Sequence, residues 1–191
     1  MQSLVAGSGA TDAGAADRQP QPTPTAAKPT ASASPSPSAT ASPAVTPAPP
    51  ACAGNGTGGT GMLPVNYATI VDFLVAHGYT KMGAVGIAGN IYQESGGDPE
   101  SVGTGGGGLI GWTPLPGGFV TGNAAADLQT QLAALLTYNQ QWIQYVPMLN
   151  AATSPATAAD VYMNYFERPG FPAASNREGA AIAVARACGI S

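Results

Sequence analysis

The chain has 191 residues, 44% hydrophobic and only 8% charged, with 6 basic against 10 acidic side chains, a net charge of −4 and one histidine, His77. Six scattered cations exclude a protein that tracks nucleic-acid phosphates, and one histidine with two cysteines does not complete a His/Cys zinc site. No phosphate-cradling G-x-x-x-x-G-K-[ST] run, no apolar stretch of membrane-spanning length and no nucleophile motif beside His77 are present. No metal or cofactor is expected, so any catalysis falls to carboxylates.

The two ends of the chain differ. Ten of the 18 prolines precede residue 51, whereas all the aromatic side chains (7 Tyr, 4 Phe, 2 Trp) lie at or after Tyr67. Residues 1–61 therefore bury too little apolar surface to offset ordering entropy and are expected to be a disordered linker. Within them, 19–51 read QPQPTPTAAKPTASASPSPSATASPAVTPAPPA. Such a tract favours extended polyproline conformation and at about 3.1 Å per residue reaches roughly 100 Å; it is a spacer with glycosylatable hydroxyls, or else simple disorder. The GNGTGGTG run at 54–61 is more flexible. The opening MQSLVAGSGATDAG is not a signal peptide as written; an export or anchoring segment is expected to lie upstream of this start or to have been removed.

Residues 62–191 are long enough for one compact core. Asn66 is placed to cap a first helix, with Tyr67, Ile70, Val71 and Leu74 at helical spacing and Gly78 as its stop. A second helix covers about 81–94, with Ala84, Ile87, Ala88 and Ile91 on one face. Segment 96–118 is rich in Gly and Pro, and its Gly-Leu-Ile-Gly-Trp-Thr stretch suits a small hairpin. A third helix, about 124–143, aligns Leu128, Leu132, Leu135, Asn139 and Trp142. Ser154-Pro155 opens a fourth and Pro169 ends it, while Ser175 and Glu178 form a capping box for a last, alanine-rich helix to Cys188. The fold class is α+β, mainly helical: about five helices around a small Gly-rich β-hairpin. Cys52 and Cys188 flank the domain. An even count in an exported chain suggests a disulfide across a loop of roughly 135 residues, against two separate buried thiols.

The chemistry concentrates in Asn90-Ile91-Tyr92-Gln93-Glu94-Ser95. Glu94 falls on the apolar face of its helix and in the last turn, where burial and the negative end of the helix dipole both favour its protonated form. A carboxylic acid near neutral pH is the proton donor a glycosidic oxygen needs; the plainer reading is a solvated glutamate at a helix end. The glycines at 103 and 105–108 leave room for a ligand beside the backbone, or form only a loose loop. Tyr92 and Trp112 offer faces for sugar stacking, with Trp112 equally suited to plug the core. Asp98, Glu100 and Glu167 are candidates for a second carboxylate. Asp98-Pro99 also reads as an ordinary turn, and Glu167 as an ion-pair partner of Arg168 or Arg177.

Three blocks in order carry a resemblance. They are Gly86-Ile87-Ala88-Gly89-Asn90-Ile91-Tyr92-Gln93-Glu94-Ser95-Gly96, then Gly108-Leu109-Ile110-Gly111-Trp112-Thr113, then Tyr165-Phe166-Glu167-Arg168-Pro169. The stretch they span, roughly 66–188, resembles the phage tail lysozyme domain of the lysozyme-like superfamily. The resemblance implies a lysozyme-like domain that cleaves peptidoglycan glycan strands, with Glu94 as the acid. Gly111 stands where that family often has glutamine, which either removes a polar contact to substrate or widens the cleft. The expectation is a secreted or surface-tethered, monomeric muralytic enzyme, with Asn90, Tyr92, Trp112 and Thr113 lining the sugar cleft. It cleaves as a muramidase or as a lytic transglycosylase. A peptidoglycan-binding module without turnover is the alternative.

Overall fold

A β-poor, helix-rich architecture follows from where the chain places its apolar side chains. The computed structural model describes residues 51–52 and 61–191, and the expected spacer before Ala51 and the glycine-rich 53–60 lie outside the described residues. Helix α1 (Tyr67–Ala76) buries Ile70, Val71 and Leu74, the stripe that its spacing predicts. Its cap differs from expectation. Asn66 sits at φ 62°, and its amide donates to Gly97 O at 3.3 Å rather than accepting from the helix, so the side chain ties α1 to the end of the next helix.

Helix α2 (Lys81–Ser95) starts at Thr80, whose hydroxyl accepts from Gly83 N, and stops at Gly96. It is the axis of the domain, with Ile87 and Ile91 fully buried. Two of its glycines set how closely its neighbours approach. A Cβ at Gly86 would lie 2.5 Å from Ala158, and one at Gly89 would lie 2.5 Å from Arg177 O and 2.7 Å from Ala181 Cβ. Those contacts belong to α5 (Pro155–Tyr162) and α6 (Ala174–Cys188), which pack directly against the α2 backbone.

The antiparallel hairpin is small. Strand β1 (Val102–Gly103) pairs with β2 (Gly106–Gly107), and Gly107 also bridges Trp112. The hairpin thus forms one step earlier than the Gly-Leu-Ile-Gly-Trp-Thr stretch, which instead turns back on Gly107. Helix α3 (Ala124–Gln140), capped by Asn123, buries Leu128, Leu132, Leu135 and Asn139. The helix ends before Trp142, which packs partly buried against the core. A 3₁₀ turn and a short helix α4 (Val146–Asn150), absent from the sequence reading, follow. Ser154 caps α5 with Pro155 at its first position, as the sequence predicts. The chain then widens into a π turn at Met163–Glu167 before Arg168 leaves it in the left-handed region.

The expected capping box is not formed. Helix α6 begins one residue before Ser175, after Ala173 at φ 46°, and no side chain caps it. Its far end carries Cys188, disulfide-bonded to Cys52, which also donates its backbone N–H to Asp72. Among the described residues no helix is long and apolar enough to cross a membrane.

Candidate active site

Arg177 organises the site. It lies on the buried face of α6 with Ala180, Ala181 and Val184, and only 2% of it is exposed. A guanidinium that dry needs its hydrogen bonds and its counter-charge supplied by protein. Its Nε donates to Pro172 O at 2.8 Å, and one terminal nitrogen donates to Asn90 Oδ1 at 2.9 Å and to Glu167 Oε2. The other donates to Glu94 Oε1 at 2.5 Å. One arginine thus clamps two carboxylates brought from α2 and from the π turn.

Glu94 projects from the last turn of α2, with 28% of its side chain exposed. Arg177 holds Oε1. The second oxygen, Oε2, faces Gly111, where a Cβ would lie 3.2 Å away. Gly111 itself has φ +67°, a conformation that L side chains rarely adopt, so the position both fits glycine and leaves that carboxylate oxygen uncovered.

Two depressions meet at Glu94, Gly111 and Thr113. One, of about 460 Å³, is also walled by Ile110, Trp112, Tyr138, Glu167 and Pro169. The other, of about 210 Å³, runs over Ser101, Thr104 and the hairpin glycines. The result is a groove with an aromatic lobe and a glycine-and-hydroxyl lobe, and Glu94 at the waist. Trp112 meets Phe119 and Tyr138 edge-on at 5.4 and 5.9 Å, while Tyr138 donates its hydroxyl to Phe166 O. The tryptophan therefore lines the groove and also packs the wall behind it. Buried Gln131 fixes that wall to α3: it accepts from Leu109 N and donates to Pro99 O and Phe119 O.

Glu167 is the drier carboxylate, 9% exposed, and its Oε1 is buried without a hydrogen-bond partner. Burial pushes its carboxyl up to about 8, with the Glu94 charge adding to the rise and Arg177 opposing it.

The structure brings together Glu94, Trp112, Thr113 and Glu167, and leaves the other candidates elsewhere. Asn90 is fully buried: its amide donates to Gly86 O and Ala159 O, and its oxygen holds Arg177. It supports the clamp from behind and does not line the groove, because its face of α2 points at α5 and α6. Tyr92 is half-buried and outside the residues that line the groove. Asp98 is exposed and accepts from Glu100 N, the turn role its sequence allows. Glu100 lies near Asp127; a hydrogen bond with that carboxylate, followed by burial, raises its pKa. It too is absent from the groove. Arg177 was legible only as a partner for Glu167, and Gln131 not at all, although both fall on the apolar faces of their helices.

Among the described residues no group of three or more His, Cys, Asp or Glu side chains is placed to hold a metal ion. No curated protein matches the chain. The sequence model of the phage tail lysozyme family matches residues 65–187, a segment that runs from just before α1 to the last turn of α6 and includes the entire groove, so the chain belongs to the phage tail lysozyme family.

Proposed function

We propose that residues 62–191 form a catalytic domain that cleaves the glycan strand of peptidoglycan, with Glu94 as the general acid. Residues 1–61 would serve as a spacer in a secreted or surface-tethered protein. The observation that carries the reading is the free Oε2 of Glu94 at the waist of a two-lobed groove, in a chain of the lysozyme-like phage tail family. A sugar on each lobe would bring the bond between them to that oxygen. Trp112 would stack on one ring, and Thr113 with the hairpin backbone would meet the other. Oε2–H gives its proton to the glycosidic oxygen as the C1–O bond breaks and the electron pair stays with the leaving oxygen. The resulting carboxylate then takes a proton from the attacking hydroxyl.

Glu167 has one oxygen on Arg177 and the other out of contact with solvent, which leaves none to attack a sugar. That supports a route with a single acid/base. The attacking hydroxyl is then water or the 6-hydroxyl of the muramyl sugar, which gives an anhydro product.

The alternative, a peptidoglycan-binding module without turnover, draws on the ion pair that ties Glu94 to Arg177. Turbidity loss of a cell-wall suspension separates the two readings. Wild type should clear it and Glu94→Gln should be slower by about 100-fold or more, while both still sediment with the wall. Binding without clearance by wild type would favour the module.

A further inference from the structure

We propose that Glu167 is a positioning residue that holds one proton in common with Glu94 across Arg177, taking over the negative charge when Glu94 acts as acid. The inference rests on the proposed acid role of Glu94 and supplies what that role lacks. An acid paired with a buried arginine is a poor proton donor, because protonating it strands the guanidinium. Arg177, 2% exposed, cannot turn to water for a counter-ion. Its second carboxylate solves this.

Two anions on one buried cation leave an excess negative charge, and one proton removes it. In the free protein the proton belongs on Glu167, the less exposed of the pair (9% against 28%), whose Oε1 has no donor to stabilise a charge. The groups facing Glu167 do not neutralise it otherwise. Tyr138 on α3 gives its hydroxyl to Phe166 O, and Tyr162 on α5 gives its own to Asn139. Arg168, next in the chain, lies over the Trp142 ring at 3.8 Å. Among the described residues, Glu94 from α2 and Arg177 from α6 are the charged side chains that act on it directly.

A sugar in the groove removes the water that still reaches Glu94, and the difference in burial between the two carboxyls shrinks. The proton then lies on Glu94 in a larger share of the molecules, and in these Glu167 is ionised against Arg177. Glu94 delivers that proton to the glycosidic oxygen and recovers one from the attacking hydroxyl, so the pair ends the cycle as it began. Arg177 has a counter-ion at every stage.

Two measurements test this. In carbon-13 titrations of the free protein, Glu167 should titrate near 8 in wild type and lower by about one unit or more in Glu94→Gln. Equal values in the two would overturn the sharing, whether or not the protein cleaves anything. In muralytic pH profiles, Glu167→Gln should lower kcat by about 100-fold with KM little changed and move the alkaline limb to lower pH; Glu167→Asp should restore about tenfold of that loss. A Glu167→Gln protein with the wild-type rate and profile would contradict the proposal. Full activity in Glu94→Gln would instead remove the acid assignment itself, a separate failure.

Discussion

The helices around α2 and the segment from Gly96 to Asn123 both depend on glycine, for opposite ends. In α2, Gly86 and Gly89 disappear under the backbones of α5 and α6. Their missing side chains let Arg177 come close enough to reach Glu94 and Asn90. In the hairpin segment the glycines border the groove, and Gly111 leaves a carboxylate oxygen uncovered. One region uses small residues to exclude space around a charge cluster; the other uses them to keep space open beside it.

The comparison can be broken most severely at Gly89. A methyl there meets backbone and Cβ atoms that cannot swing aside, so Gly89→Ala should destabilise by about 3 kcal/mol and displace Arg177. Chemical denaturation reads the first effect, and loss of muralytic rate beyond the loss of folded protein reads the second. On the groove side the counterpart is Gln131→Leu. It leaves Leu109 N–H and the Pro99 and Phe119 carbonyls without partners, a cost of about 2 kcal/mol or more. Amide exchange should rise in 99–119 while α2 and α6 stay protected.

A pH series sharpens the helical half. Glu167 has a folded-state value of about 8 against 4.5 for the ordinary carboxyl, so the folded state binds the extra proton between them. Its contribution to stability is complete below about pH 4.5 and is lost as pH rises through 8, by about 1.4 kcal/mol per unit within that window. The difference in Tm between wild type and Glu167→Gln should therefore drift steadily between pH 5 and 8 and be flat below pH 4. The smallest change is Gly111→Ala. Strain at φ +67° should cost about 1 kcal/mol, with activity falling further than stability because the new Cβ crowds Glu94 Oε2.

These two regions also differ in how much of them the sequence discloses. Apolar residues three and four apart locate α1, α2 and α3, and Pro155 after Ser154 locates the start of α5, since local geometry alone enforces those patterns. The register of Glu94 was legible for the same reason: it follows Ile87 and Ile91 on their face of α2, although at the helix end 28% of its side chain stays exposed. The short α4 and the π turn depend on tertiary packing, and the hairpin register depends on Trp112 bridging back to Gly107. None of these leaves a periodic trace. Asn66 and Ser175 show the limit of capping rules: the Asn66 amide bonds Gly97 O beyond the end of α2, and α6 starts one residue before Ser175, which leaves that serine inside the helix. The polar residues of the site follow a subtler rule. Asn90, Gln131 and Arg177 each interrupt an apolar stripe, and each makes three or more hydrogen bonds inside the protein.

The central claim concerns one oxygen of Glu94 acting on a bond between two sugars. Mass spectrometry of the soluble products from purified peptidoglycan tests it most directly. Wild type should release disaccharide muropeptides, ending in a reducing sugar or an anhydro-muramyl residue according to the attacking hydroxyl, and Glu94→Gln should release almost none. The same muropeptides in the same yield from Glu94→Gln would contradict the account.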